Sequence, residues 1–189
     1  HTANLTVNDA QFINAATAGR LPGLVAGQVD GVALHPEDVY LAEKQKPSVH
    51  TLVRLDELLP NYAFNSYGAS NDFIAKDPAL IRDTVAGLIE GARAIYQQKD
   101  KAIPIIMQAT EKPQDAVEYA YQQETKNCNW AVNTGFEQAR TEWTANWAVD
   151  NGDVQATKKP SFDQVVDTKV ANEGLAAAGG PTTIGNCKA

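Results

Sequence analysis

The feature that most constrains this chain is a change of hydrophobic period along its length. In the first third, short β-type runs alternate with helical segments; from Asp77 onward, apolar residues recur at helical spacing. Leu5-Thr6-Val7 is a short strand-like run ending in Asn8-Asp9. Ala10 to Ala26 carries Phe12, Ile13, Ala16, Leu21, Leu24 and Val25 in a loose helical stripe. Gly19, Pro22 and Gly23 weaken its middle, so one helix or two short ones fit. Gly27-Gln28 supplies a glycine stop. Val29–Leu34, apolar apart from Asp30, predicts a buried strand. His35-Pro36-Glu37-Asp38 breaks it, and Val39 to Lys44 reads as a short helix. Val49–Leu55 and Tyr62–Ala69 read as further strands, the latter with Tyr62 and Phe64 at alternate positions.

The remainder is helical. Asp77-Pro78 combines an N-cap acid with proline at the first helical position. Ile81, Val85, Leu88, Ala92 and Ile95 then follow in steps of four and three, a core-facing stripe. A short segment at Ala102–Ala109, a helix from Pro113 to Glu124, and a helix capped by Asn133 or Thr134 and running through Phe136, Ala139, Trp143 and Trp147 come next. Ser161-Phe162-Asp163-Gln164 opens a last short helix. Strand–helix–strand order followed by helices predicts an α/β fold with a partly parallel sheet and a helix-rich C-terminal half. So few strands make a thin sheet for 189 residues, as if strands were missing on the N-terminal side.

Charge narrows the partners. Sixteen basic and 23 acidic residues leave a net charge of -7 and a pI near 4.9, without a Lys/Arg run or basic stripe. A nucleic-acid or anionic-membrane surface is therefore not expected. Mean hydropathy is -0.34, and no apolar stretch approaches the ~20 residues of a membrane span. The chain starts at His1 and shows no signal-peptide pattern, which reads as a mature, trimmed or truncated product.

Cys128 and Cys187 are either two unrelated buried thiols or a disulfide tying the apolar-poor tail back to the body. In an oxidising compartment the disulfide is the expectation. No CxxC occurs and the histidines are only His1, His35 and His50, so no metal site is expected. Nothing local places His35 or His50 beside Cys128 for nucleophilic catalysis.

Leu24-Val25-Ala26-Gly27-Gln28-Val29-Asp30-Gly31, at a helix end feeding a strand, resembles a motif of a known family. The family is the periplasmic binding proteins of the nitrate/taurine/alkanesulfonate ABC-transporter type, which also includes binders of thiamine-pyrimidine precursors. Leu59-Pro60-Asn61-Tyr62-Ala63-Phe64, Asp72-Phe73-Ile74, Asp77-Pro78-Ala79-Leu80-Ile81, Ala94-Ile95-Tyr96, and Pro160-Ser161-Phe162 followed by Val166-Asp167 continue the resemblance in order. It covers about residues 5–174. It implies two α/β lobes of the type II periplasmic-binding-protein kind, joined by crossing strands, with ligand in the cleft. On that pattern residues 1–62 are part of the second lobe, 63–70 a crossover strand and hinge, and 71–189 the helical flank of the first lobe plus a tail. The chain would be a C-terminal two thirds with one lobe incomplete: a trimmed piece before all, or one completed by a partner N-terminal fragment or lobe, or a remodelled fold.

Ligands of open α/β sheets sit beyond the carboxyl ends of strands. Asn8, Asp9 and Gln11 follow the first strand, His35, Glu37 and Asp38 follow Val29–Leu34, and Asn65 and Tyr67 lie on the crossover. These are the candidate ligand-binding residues. His35 also fits a plain surface turn, and Glu37 and Asp38 also fit a helix-start pair complementing the dipole. Two acids together disfavour a bare sulfonate or nitrate at that spot. Asp30 reads as structural. Trp130, Trp143 and Trp147 could form a stacking platform, but their spacing with Phe136 points to core packing.

The resemblance implies a non-enzymatic solute-binding component of an ABC importer, without a cofactor. Its partners would be a small molecule and a membrane permease, and its location periplasmic or otherwise extracytoplasmic. Two alternatives stand beside it. An enzyme of thiamine-pyrimidine biosynthesis on the same fold would carry a cysteine-rich motif, and here Cys128 stands alone. A non-transport ligand-sensing module is not separable from the transport reading by sequence.

Overall fold

The structure, a computed structural model, describes residues 6–188. The chain divides into two compact units, one running to Thr51 and one starting at Leu52.

The first unit is built on α1 (Thr17–Val25) and α2 (Pro36–Gln45). α1 is one helix in spite of Pro22, which forfeits its own N–H bond in the second turn without ending the element. Its end is a Schellman cap: Gln28 N donates to Gly23 O at 2.9 Å and Gly27 N to Leu24 O at 3.1 Å, with Gly27 at φ 72. α2 opens on Pro36 with Glu37 and Asp38 in its first turn, and buries Ala42. Lys46 Nζ, 3.5 Å from Leu24 O, links the end of α2 to the end of α1.

No β-sheet forms among the described residues; the only pairing there is an isolated antiparallel bridge between Ile184 and Cys187. This overturns the expected α/β fold and the partial type II binding-protein lobes that went with it. Thr6 to Asp9 is a 3-10 turn, closed by a capping box between Thr6 and Asp9, where a strand was expected; Leu5 lies outside the described residues. Val29–Leu34, Val49–Arg54 and Tyr62–Ala69 are irregular. Leu52 and Phe64, on two of the expected strands, are 83% and 71% exposed. β propensity expresses how well a side chain fits a pleated, half-covered surface. These runs have no neighbouring ladder to supply that surface. Their backbone groups turn elsewhere: Ala63 N donates to Thr144 Oγ1 at 2.9 Å, and Tyr62 O accepts from Arg140 Nη2 at 3.2 Å.

The second unit carries α3 (Leu55–Leu58), α4 (Asn71–Lys76), α5 (Pro78–Gln97), α6 (Lys99–Thr110), α7 (Gln114–Lys126), α8 (Gln138–Asp150), α9 (Phe162–Val165) and α10 (Thr168–Ala177). α5 starts as its sequence predicts, with the Asp77 carboxylate accepting from Leu80 N at 3.1 Å and Pro78 in the first position. Its buried face is Ile81, Ala86 and Ile89; Leu88, expected in the stripe, lies at the rim, 36% exposed. α9 has the expected serine start, with Ser161 N donating to Gln164 Oε1 at 2.8 Å.

Two small cores hold this unit. Ala86 and Ile89 of α5 pack with Ala178, flanked by Val85 and Leu175. Ala102, Ile103, Val117 and Tyr121 join α6 to α7, with Ile95, Ile106 and Met107 around them. α10 reaches α5 closely because Gly174 has no side chain: a β-carbon there would lie 2.4 Å from Val85 Cγ1. α10 is an addition to the elements expected from sequence, and α8 begins at Gln138 with Glu137 as its cap. Asn133 and Thr134 do not cap it, since Gly135 at φ 72 turns the chain first and the Asn133 side chain is engaged elsewhere.

Candidate functional site

The densest polar constellation of the second unit lies where α5, the segment after α7 and the C-terminal tail meet. Arg93 sits near the end of α5. Its Nε donates to Val132 O at 2.8 Å, Nη1 to Ala178 O at 2.5 Å, and Nη2 to Gly180 O at 2.7 Å and Asn133 Oδ1 at 3.3 Å. A planar guanidinium suits this task because its donors are fixed in a fork. Asn133 completes the arrangement. Its Nδ2 donates to Thr182 O at 3.0 Å and to Lys188 O, while Thr182 N donates back to Asn133 Oδ1 at 2.9 Å.

Cys128 and Cys187, 59 positions apart in sequence, are joined by a disulfide with Cα atoms 5.3 Å apart. Cys128 is also the left-handed residue of α7's cap. Its N donates to Thr125 O at 3.4 Å and Asn129 N to Glu124 O at 3.0 Å, the same Schellman pattern that closes α1, α8 and α10. Those caps use Gly27, Gly152 and Gly179; here a cysteine holds φ 55.

An aromatic group backs the disulfide segment. Trp130 meets Tyr96 edge-on with ring centres 6.0 Å apart, and tilts against Tyr121 at 6.4 Å. Tyr96 Oη donates to Trp130 O at 2.9 Å and accepts from Trp130 N at 3.2 Å; Tyr121 Oη donates to Ile95 O at 2.8 Å. Burial pushes both phenols above the ordinary tyrosine value, opposed at Tyr96 by its bond to Trp130. Trp147 instead packs edge-on against Tyr62, at 5.1 Å. The tryptophans therefore do not form one platform. A second knot fixes α3 to the end of α7: Arg54 binds Asp56 at 2.8 Å and Gln123 at 3.1 Å, and Asn127 Nδ2 binds Asp56 at 2.8 Å. The Arg54 hydrogen bond holds the Asp56 carboxyl below its usual range.

None of the residues expected to bind ligand takes part in this constellation. Asn8 and Asp9 belong to the 3-10 turn, where Asp9 accepts from Thr6 N at 2.7 Å and Thr6 Oγ1 at 2.8 Å. Those bonds lower the Asp9 pKa. Gln11 is exposed. His35 is the exposed cap residue of α2; Glu37 is half-buried and Asp38 buried in the first turn. Asn65 and Tyr67 are exposed in the second unit, outside any helix, with Tyr67 81% exposed. The strand ends that were to present these groups do not exist, so only neighbours in sequence share an element. Helix-start acids complementing the α2 dipole describe Glu37 and Asp38 as they stand.

Two depressions mark the second unit. A depression of about 230 Å3 between α6 and α7 is lined by Lys99, Asp100, Ile103, Met107, Gln114 and Glu118, below the roughly 300–1,000 Å3 of small-molecule sites. A more open one of about 490 Å3 over the tail is lined by Asn133, Pro181, Thr182, Thr183 and Lys188, a polar wall where ligand pockets are mostly apolar. Among the described residues no group of three or more His, Cys, Asp or Glu side chains could hold a metal ion, and no helix is long and apolar enough to cross a membrane.

Sequence reasoning missed Arg93 and assigned Asn133 to a helix cap. The available signal was an arginine following Ile89 by four residues, on the buried side of a strongly amphipathic helix. No family model matches the chain, and neither a curated protein nor a solved structure is similar to it.

Proposed function

We propose that this chain is a non-enzymatic, extracytoplasmic solute-binding component of an ABC importer, which binds a small molecule and delivers it to a membrane permease. The observation that carries the reading is the ordered series from Leu24-Val25-Ala26-Gly27-Gln28 through Asp77-Pro78 to Pro160-Ser161-Phe162. The Cys128–Cys187 disulfide supports the compartment, because such bonds persist where thiols are not kept reduced.

The test is thermal unfolding of the oxidised protein with nitrate, small alkanesulfonates, aminopyrimidines and simple amines in turn. A cognate ligand at about a hundred times its Kd adds roughly 2.7 kcal/mol. For a chain of this size that raises Tm by about 5 °C or more. A flat Tm across all four classes, with helix content and disulfide intact, overturns the proposal. Stabilisation by one class supports it, and a pulldown of the cognate permease separates transport from sensing.

A further inference from the structure

The C-terminal tail is fastened to the second unit twice. One fastening is the Cys128–Cys187 disulfide. The other is non-covalent: Arg93 holds Ala178 O and Gly180 O at the start of the tail, and Asn133 holds Thr182 and Lys188 further along. Arg93 also grips Val132 O and Asn133 Oδ1, so the segment carrying Cys128 and the tail carrying Cys187 are drawn to one guanidinium.

Neither cysteine finds the other readily by itself. Closing so long a loop is opposed by chain entropy. Cys128 must also adopt φ 55, a conformation that the comparable caps give to glycine. In the assembled unit Cys187 is only 5% exposed, whereas Cys128 is half-buried.

We propose that Arg93 and Asn133 form a template that seats the tail before the disulfide closes, so that oxidation is the last and directed step in maturation of this unit. A small disulfide such as oxidised glutathione is the oxidant. The Cys128 thiolate, the more accessible one, attacks a glutathione sulfur, forming a mixed disulfide and releasing one glutathione thiolate. The Cys187 thiolate, already seated, attacks Cys128 Sγ, forms the protein disulfide and releases the second glutathione thiolate. The two thiol protons end on the two glutathiones, so two thiols and one oxidised glutathione become one protein disulfide and two reduced glutathiones.

The test reads the reactivity of Cys187 in the full chain with Cys128→Ser, where no disulfide can form. With a template, Cys187 reacts with a neutral thiol reagent at least about tenfold more slowly in native buffer than in denaturant, the factor one charge-assisted hydrogen bond supplies. Adding Arg93→Ala restores most of the denatured rate, with helix content followed by circular dichroism. If that variant loses its helices, Asn133→Ala in the Cys128→Ser chain decides instead: faster labelling upholds the template and unchanged labelling overturns it. Cys187 labelled as fast in native Cys128→Ser protein as in denaturant overturns the proposal outright. So does a folded Arg93→Ala chain in which Cys187 stays protected.

Discussion

The bare backbone of Gly174 in α10 packs against the Val85 side chain of α5, so closely that a β-carbon on Gly174 would collide with Val85 Cγ1 and stand 3.3 Å from Arg82 O. Gly174→Ala therefore forces the helices apart. Overpacking of this kind costs about 1–3 kcal/mol, offset by up to roughly 1 kcal/mol of helix propensity. A net loss of about 1–2 kcal/mol is expected, read as a lower urea midpoint. Val85→Ala in the same chain opens the space, so the pair should show a favourable coupling in a double-mutant cycle.

Arg93 engages Val132, Asn133, Ala178 and Gly180 from one side chain. Arg93→Met keeps the apolar stem and leaves those acceptors to water or to nothing. Hydrogen bonds to charged groups contribute about 1.5–3 kcal/mol each and do not add, so a loss of about 3 kcal/mol is expected in urea unfolding. Arg93→Lys, a point charge without the fork, should recover only part of it. Wild-type stability in Arg93→Met would show that the clamp is incidental.

Cys128 holds φ 55. Removing the disulfide costs about 4 kcal/mol on the loop-entropy model, whichever residue replaces the cysteines. The left-handed position adds a separate effect of about 1 kcal/mol favouring glycine. The chain with Cys128→Gly and Cys187→Ser should therefore unfold at higher urea than the one with Cys128→Ser and Cys187→Ser. The reverse order would mean that the cap relaxes once the bond is gone.

Tyr96 and Tyr121 have phenols raised by burial. The folded chain thus binds these protons more tightly than the unfolded chain. The stability they contribute is fully present below the ordinary phenol value of about 10 and is lost as pH rises through the raised folded values. Urea midpoints measured upward from neutral pH should hold steady and then fall above about pH 10. Tyr96→Phe should start lower, lacking its bonds to Trp130, and fall less steeply. An equal alkaline slope would remove Tyr96 from the account.

The local grammar of helices was legible in the residues. Asp77-Pro78 starts α5, Gly27 stops α1, and Ser161 with Gln164 starts α9, because a cap satisfies orphan backbone groups within a few residues of itself. α10 escaped notice because its glycine sits inside the helix, where propensity disfavours it and only the neighbour Val85 explains it. The absence of a sheet is illegible in sequence for the opposite reason. Val29–Leu34, Val49–Leu55 and Tyr62–Ala69 have strand composition, but a ladder needs a partner that composition does not name.

What the sequence by itself determined is the set of helices with strong caps and stripes, and the pair of cysteines able to cross-link. Those follow from interactions spanning four residues or fewer, or from the count of thiols. Only the tertiary structure decided that Arg93 and Asn133 would gather the tail, that Cys128 would stand at a left-handed cap, and that the strand-like runs would go unpaired. Each of these depends on groups dozens of residues apart meeting in space. Pattern within a window is blind to such meetings, because the energy that settles them belongs to the contact and to neither residue alone.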